Sequence, residues 1–385
     1  MSFGLVLAGG GVRGAYHIGV WKALREMNID VCAVSGSSIG AINGALFAQG
    51  DFDTAYRLWE QISLSDIVSL PPELESEIDL FDLRNIVKIA RLARKDRELD
   101  MKPLENLLNR VIDEDAVRSS RIEFGLTAYS LTEKRLVTLY KENIPKGKLI
   151  PYLMASASLP GFKSREIGRE KFIDGGMANN MPVDMIIGKG IDDIITVNVK
   201  GIGFYRDFNT AGRNIIPIEW KRAALGTMDF DRGAIKRCIT EGYLDCKREF
   251  GRLFGRECYF KASEYEYVRS KYGKSIIDGI QWAAKEFGLN LLREVSFEEL
   301  AKEVTAAYLI NRGLTESTSE IKYTDRTAVE KLSKLDDMSV ICRLVGLLDA
   351  KGFDFAKSKL DILGRNYGAA SALLYFKRLY CRGAG

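Results

Sequence analysis

Two stretches near the start of the chain decide the fold: residues 3–14 read FGLVLAGGGVRG, and residues 31–40 read VCAVSGSSIG. Each begins as a short apolar run, turns at glycine, and continues into apolar residues at helical spacing. Short, wholly apolar runs are typical of strands buried on both faces. Two consecutive strand–turn–helix units therefore predict an α/β protein with a parallel-type sheet and helices on both faces.

The remaining pattern extends this core and adds helices. Apolar runs predict further strands at residues 122–129, 134–140, 171–174, 193–199 and 215–218. Residues 58–118 are predicted to be a helical insertion over one edge of the sheet. The pattern becomes mainly helical and polar near residue 257. We therefore expect one domain over residues 1–255 and a mainly helical C-terminal region over residues 256–385.

Composition excludes several classes of protein. The 385 residues are 46% hydrophobic and 28% charged, which is typical of globular proteins, and the net charge of +4 does not predict nucleic-acid binding. Six cysteines without a CxxC pair favour a reducing compartment. The start lacks a basic leader, and no apolar run reaches the length of a spanning helix. We expect a cytoplasmic protein without metal or cofactor, in contact with membranes only at their surface.

The single histidine, His17, limits the possible catalytic chemistry. A histidine-rich metal site is excluded, and a Ser–His–Asp triad requires His17 as its base. His17 lies at helical spacing on the helix after the first glycines, so a structural role is the preferred interpretation.

The first motif is the glycine turn of residues 9–14. Glycines between a strand and a helix present backbone N–H groups to an anion, helped by the positive end of the helix. The GxGxxG spacing also permits a dinucleotide-binding turn, but the nearest acidic residue, Asp30, precedes the second strand instead of ending it. A purely structural turn is the third reading. Arg13 could orient this loop, contact a lipid phosphate, or face solvent.

The second motif, residues 36–40, has the form GxSxG between a strand and a helix. This is the setting of a nucleophile elbow, in which Ser38 would stand clear of the backbone. A serine that only caps the helix is the alternative, although it does not account for glycines on both sides.

The third motif is Asp174 followed by Gly175 and Gly176 at the end of a strand. Asp-Gly-Gly is also a common turn, so this motif gains weight only from the other two.

The three motifs together form a coherent site. Ser38 supplies a nucleophile, Asp174 can accept its proton without a histidine, and the amides of Gly10 and Gly11, with Arg13 nearby, can hold an oxyanion. All three loops are expected at the carboxyl edge of one parallel sheet.

At this point the sequence resembles the patatin-like phospholipases, which carry a GGGxxG loop, a GxSxG elbow and an Asp-Gly-Gly motif in this order. Residues 155–162 (ASASLPGF) and 179–182 (NNMP) also look like the family. The resemblance covers about residues 1–255 and implies a Ser38–Asp174 dyad, an acyl-enzyme and fatty acyl ester substrates. The implied oxyanion loop comprises Gly9, Gly10, Gly11, Arg13 and Gly14, and the glycines of the other two motifs are Gly36, Gly40, Gly175 and Gly176.

The sequence thus predicts a lipid acyl hydrolase of the phospholipase A type that acts on phospholipid or another acyl lipid. A carboxylesterase or thioesterase of the same fold remains an alternative, as does a nucleotide-binding or regulatory module. One helical stripe of cations could rest on anionic lipid, or could be the solvated face of a cap helix. It consists of Arg84, Lys88, Arg91 and Lys95.

Overall fold

The computed structural model describes residues 2–69, 99–221, 230–316, 336–351 and 364–380. The chain divides into two compact units, Met1–Glu249 and Phe250–Gly385. The predicted basic stripe, from Arg84 to Lys95, lies outside the described residues. In the part of the predicted insertion that is described, residues 58–69 and 99–118 contain the end of one α-helix, a complete second one and nearly all of a third.

The N-terminal unit is built on an eight-stranded sheet in the described residues. Its centre has the order β3–β2–β1–β7–β8, and these five strands are parallel. This confirms the predicted parallel core. The strands are β1 (Ser2–Leu7), β2 (Asp30–Ser37), β3 (Glu123–Ser130), β4 (Arg135–Tyr140), β5 (Arg165–Ile167), β6 (Glu170–Asp174), β7 (Asp193–Asn198) and β8 (Asn214–Glu219).

Helices cover both faces of this sheet, as the sequence predicts. Along β2, successive side chains point to opposite faces. Val34 packs towards Gly44 on one face, and Ala33 packs with Val183 and Ile186 on the other. The helices of this unit are α1 (Ala15–Glu26), α2 (Ile39–Gln49), α3 (Phe52–Gln61), α4 (Lys102–Val111), α5 (Glu114–Ser119), α6 (Leu149–Ser156), α7 (Val183–Gly188) and α8 (Arg232–Glu249).

Beyond β3 the sheet is antiparallel, which the sequence did not predict. Strand β3 pairs antiparallel with β4 along one edge. The other edge of β3 is shared by two strands. Strand β2 pairs with β3 up to the pair Ser37–Thr127, and β6 pairs with β3 from the pair Asp174–Ala128 onwards. Because β6 runs opposite to β2, the carboxyl ends of these two strands point at each other. The register therefore brings the segments that carry Ser38 and Asp174 together.

The C-terminal unit is mainly helical, as predicted. Its aromatic core includes Phe260, Tyr272, Phe297 and Phe376, whose rings are in edge or tilted contact. Where this unit is described, a short hairpin of β9 (Leu253–Phe254) and β10 (Phe260–Lys261) precedes four α-helices: α9 (Tyr265–Glu286), α10 (Phe297–Glu316), α11 (Asp337–Lys351) and α12 (Gly364–Tyr380). Over the described residues, none of the helices combines the length and apolarity required to traverse a bilayer.

Candidate active site

Ser38 occupies a sharp turn between β2 and α2. Its backbone has φ 55° and ψ −127°, a region that non-glycine residues rarely adopt. The turn is possible because glycine stands on both sides: a Cβ on Gly36 would lie 2.3 Å from the Gly40 carbonyl, and a Cβ on Gly40 would lie 2.1 Å from Leu7 O. The predicted elbow geometry is therefore present, with strained backbone at the serine.

A second serine holds the elbow in place. The Ser38 N–H donates a hydrogen bond of 2.9 Å to Ser156 Oγ, and Ser156 is the last residue of α6 and fully buried. Ser38 carries no side-chain capping bond to the start of α2, which disfavours the interpretation of a simple N-cap.

Asp174 is 1% exposed and ends β6 beside the elbow. Its Oδ1 accepts from the Gly176 N–H at 2.7 Å, whereas its Oδ2 has no hydrogen-bond partner of normal geometry among the described residues. Burial raises the pKa of this carboxyl group from 3.8 to about 7, and the nearby Ser38 hydroxyl and the Gly176 amide partly counteract that rise. Asp174 is thus a half-satisfied carboxyl group next to Ser38, poised to exchange a proton near neutrality.

The glycine loop lies against Ser38. A Cβ on Gly9 would be 3.1 Å from Ser38 Cβ, and Gly11 has φ 60°, which favours glycine. The Gly9 N–H donates to Asn180 O at 3.1 Å and is therefore occupied. Within the described chain, the amides of Gly10 and Gly11 donate to no protein acceptor. Two free N–H groups next to the Ser38 side chain have the geometry that suits the stabilisation of an oxyanion.

Asn180 fixes this loop from the other side. Its Nδ2 donates to Gly9 O at 3.2 Å and to the Tyr205 hydroxyl at 3.0 Å. Asn180 follows the Asp174 turn by six residues, so one side chain connects the segment after the carboxylate to the glycine loop. In the sequence, Asn180 stands out only as part of the family-like segment 179–182, and neither its role nor that of Ser156 was predicted.

Arg13 and Gly14 have packing partners of their own. The Arg13 guanidinium donates to Lys200 O and stacks 5.6 Å from the centre of the Trp220 ring. This arrangement fits a role in orienting the loop better than a solvent-facing side chain. Gly14 is buried, and a Cβ there would lie 2.5 Å from the Ile39 side chain, so this glycine permits close packing beneath the elbow.

His17 is buried within α1, where its ring contacts Asn43. Its Nδ1 lies 3.2 Å from Asn43 Nδ2, and its Nε2 has no hydrogen-bond partner in the described part of the chain. Burial lowers the pKa of His17 from 6.5 to about 3, so the ring is neutral at physiological pH. In the described ranges, no group of three or more His, Cys, Asp or Glu side chains is arranged to hold a metal ion.

Asp30 lies at the wrong place for a dinucleotide site. It begins β2 and pairs with Ser2, at the end of β1 opposite to the glycine loop. A carboxylate there cannot bind a ribose whose phosphates rest on that loop.

An apolar cleft opens at Ser38. The free space inside it is small, about 60 Å³. Gly11 and Ser38 form its polar end, and aliphatic and aromatic side chains form the rest. These include Val12, Ile39, Ile42, Trp59, Leu104 and Phe162. Such a lining suits a hydrocarbon chain attached to the group that Ser38 would attack.

Residues 5–187 match the model of a family described as patatin-like phospholipase. This region, residues 5–187, is a patatin-like phospholipase domain. The match spans the glycine loop, the elbow and the Asp-Gly-Gly turn, and so confirms the resemblance inferred from these motifs.

Comparison with individual proteins finds relatives of low sequence identity. An uncharacterized NTE family protein of Mycobacterium tuberculosis is 27% identical over 198 residues, which are 51% of this chain and 49% of that protein. Neuropathy target esterase sws of Drosophila melanogaster is 27% identical over 363 residues, covering 89% of this chain and 22% of that protein. The matched part of the chain thus spans half or less of the length of each of these relatives. A crystal structure of VipD from Legionella pneumophila is 13% identical with a TM-score of 0.38, covering 96% of this chain and 88% of that one.

Proposed function

We propose that this protein is a lipid acyl hydrolase of the phospholipase A type, with Ser38 as nucleophile and Asp174 as base. The single observation that carries the proposal is the meeting of a strained serine and a buried carboxyl group at the mouth of an apolar cleft. Membership of the patatin-like family supports the same reaction class.

The first half-reaction forms an acyl-enzyme. Ser38 Oγ attacks the ester carbonyl carbon while its proton passes to Asp174, whose Oδ2 has no competing partner among the described residues. The negative charge that develops on the carbonyl oxygen is stabilised by the free amides of Gly10 and Gly11. The C–O bond to the alcohol then breaks, and the departing lysolipid takes the proton from Asp174.

The second half-reaction releases the fatty acid. Asp174 accepts a proton from water, the resulting hydroxide attacks the acyl carbonyl, and the proton returns to Ser38 as the ester bond breaks. One carboxyl group performs both transfers because a pKa of about 7 lets it hold and release a proton in turn.

The cleft supports the assignment of substrate. The acyl chain would lie along the Ile42, Trp59 and Leu104 side chains, away from water, with its carbonyl at Ser38. The apolar lining favours fatty acyl chains over charged or short polar acyl groups. Turnover of phospholipid therefore separates the proposal from a general carboxylesterase or thioesterase.

The test is covalent labelling with a fluorophosphonate, located by mass spectrometry, together with release of fatty acid from phospholipid. We expect the label on Ser38, and we expect Ser38→Ala to abolish both labelling and release. Ser37→Ala is the matched control, because the Ser37 hydroxyl is buried without a hydrogen-bond partner in the described residues. Fatty acid release at the normal rate by Ser38→Ala protein would contradict the assignment.

A further inference from the structure

A loop after β7 exposes an unusual group of apolar side chains. Among the described residues, nine large hydrophobic side chains are exposed, and three of them lie within residues 202–205. Ile202 is 54% exposed, Phe204 65% and Tyr205 40%. Isolated exposed hydrophobic residues are ordinary, but three in four positions form a patch of the kind that marks an interaction site.

The loop is held rigidly by its backbone. The Phe204 N–H donates to Gly176 O at 2.8 Å, and its carbonyl accepts from the Asn180 N–H at 2.6 Å. Arg206 Nε donates to Ala178 O at 3.0 Å. The apolar side chains are therefore displayed in a fixed position, and flexibility does not explain their exposure.

The same loop adjoins the candidate active site. Gly201 packs so closely that a Cβ there would lie 2.0 Å from Gly9 O and 2.6 Å from Gly10 Cα. Tyr205 donates its hydroxyl hydrogen to Gly201 O and accepts from Asn180, which itself holds Gly9. The patch thus stands at the rim of the oxyanion loop.

The charged residues beside these apolar side chains indicate the kind of partner that the loop binds. Lys200 and Arg206 flank the apolar residues and are both exposed, with one exposed anion, Asp207, beside them. Aromatic and aliphatic side chains bordered by cations are the composition that binds the interface of an anionic bilayer, since the rings enter the headgroup region and the cations meet lipid phosphate.

We propose that residues 200–206, the rim loop, dock the protein on an anionic phospholipid surface. This inference rests on the proposed function, because docking at this place would bring the glycine loop beside Ser38 to the lipid whose acyl ester is cut. Ile202 and Phe204 would enter the headgroup region, while Lys200 and Arg206 would remain at the phosphate level. The surface differs from the basic stripe of residues 84–95.

The experiment measures binding to sedimented vesicles made of equal parts phosphatidylcholine and phosphatidylglycerol. All proteins carry Ser38→Ala, so that the result does not depend on hydrolysis. We expect the double variant Ile202→Ser/Phe204→Ser to bind at least about tenfold more weakly, since two large apolar side chains no longer enter the lipid. Leu131→Ser, which removes a 42% exposed side chain elsewhere in the same unit, is the matched control.

Three outcomes would overturn the proposal. One is binding by the double variant equal to that of its parent, provided that circular dichroism shows both folded. Another is an equal loss in the Leu131→Ser control. The third is a rim loop that joins two copies of the chain, seen as a dimer in the parent and a monomer in the double variant. Failure of Ser38 labelling would instead disprove the proposed chemistry and leave the vesicle result standing.

Discussion

The buried position of Asp174 determines the acid–base behaviour of its carboxyl group. Its burial makes ionisation unfavourable, and one of its two oxygens has no hydrogen-bond partner among the described residues. A carboxyl group arranged in this way lowers the stability of the folded protein but is well suited to proton transfer. Such carboxyl groups are common at catalytic sites.

The pH dependence of turnover follows from this carboxyl group. In the proposed mechanism Asp174 accepts a proton only when it is ionised, and its pKa is about 7. We expect kcat/KM for a soluble ester to rise by about tenfold per pH unit below pH 7 and to level off above it. A rate that is flat from pH 5 to pH 8, measured under conditions where chemistry limits the rate, would argue against Asp174 as the base.

The same pKa predicts an effect on stability. A folded-state pKa raised above 3.8 means that ionisation of Asp174 destabilises the folded protein as pH rises from about 4 to 7. Asp174→Asn removes this cost and can still accept the Gly176 hydrogen bond. We expect the inactive variant to be more stable than its parent at pH 8, on the order of a few kcal/mol in urea unfolding, and the difference to shrink towards pH 4.

His17 should affect stability without affecting the reaction. Burial lowers the pKa of His17 to about 3, so its stabilising contribution is complete above pH 6.5 and is lost as pH falls towards 3. We expect His17→Ala to cost about 2–3 kcal/mol of unfolding free energy, because it leaves a cavity, and to retain turnover within about threefold. Complete loss of activity in a folded His17→Ala protein would restore the triad hypothesis.

At the level of secondary structure, the site depends on the end of α6 as much as on β2 and β6. Ser156 accepts from the Ser38 N–H, and Ser158 O accepts from the Asp174 N–H at 2.8 Å. One short segment therefore contacts both members of the proposed dyad and fixes the distance between their backbones.

Ser156→Ala tests this connection. It leaves the buried Ser38 N–H without a partner at a strained turn, which costs about 1–3 kcal/mol. We expect fluorophosphonate labelling of Ser38 to slow by about tenfold. Ser158→Ala is the control, since its hydroxyl donates to Met154 O in α6 and not to either member of the proposed dyad. Equal rates for the two variants would show that Ser156 does not position the nucleophile.

For the whole molecule, the division into two units assigns every residue of the candidate site to the N-terminal unit. The proposed dyad, the glycine loop and every residue that lines the cleft precede Glu249. The C-terminal unit has its own aromatic core.

This division predicts that a chain ending at Glu249 folds and is labelled at Ser38. We expect the labelling rate to stay within about threefold of that of the full chain, because no described site residue is removed. A folded but unlabelled fragment would show that the C-terminal unit is needed to assemble the site. Faster labelling of the fragment would instead indicate that this unit restrains the activity.

The sequence by itself determined the parallel α/β core and the elbow. Buried parallel strands must be continuously apolar, and the turns after β1 and β2 need glycine, so both leave a local pattern that can be read directly. The order of the three motifs was enough to identify the family.

Only the tertiary structure decided how Asp174 reaches Ser38. The carboxylate arrives on an antiparallel strand that abuts β2 along one edge of β3, and strand direction depends on long-range pairing that no local pattern records. The roles of Ser156 and Asn180 could not be predicted from the sequence for the same reason, and neither could the exposure of the rim loop. A hydroxyl, an amide or a phenyl ring acquires its role from partners distant in the chain.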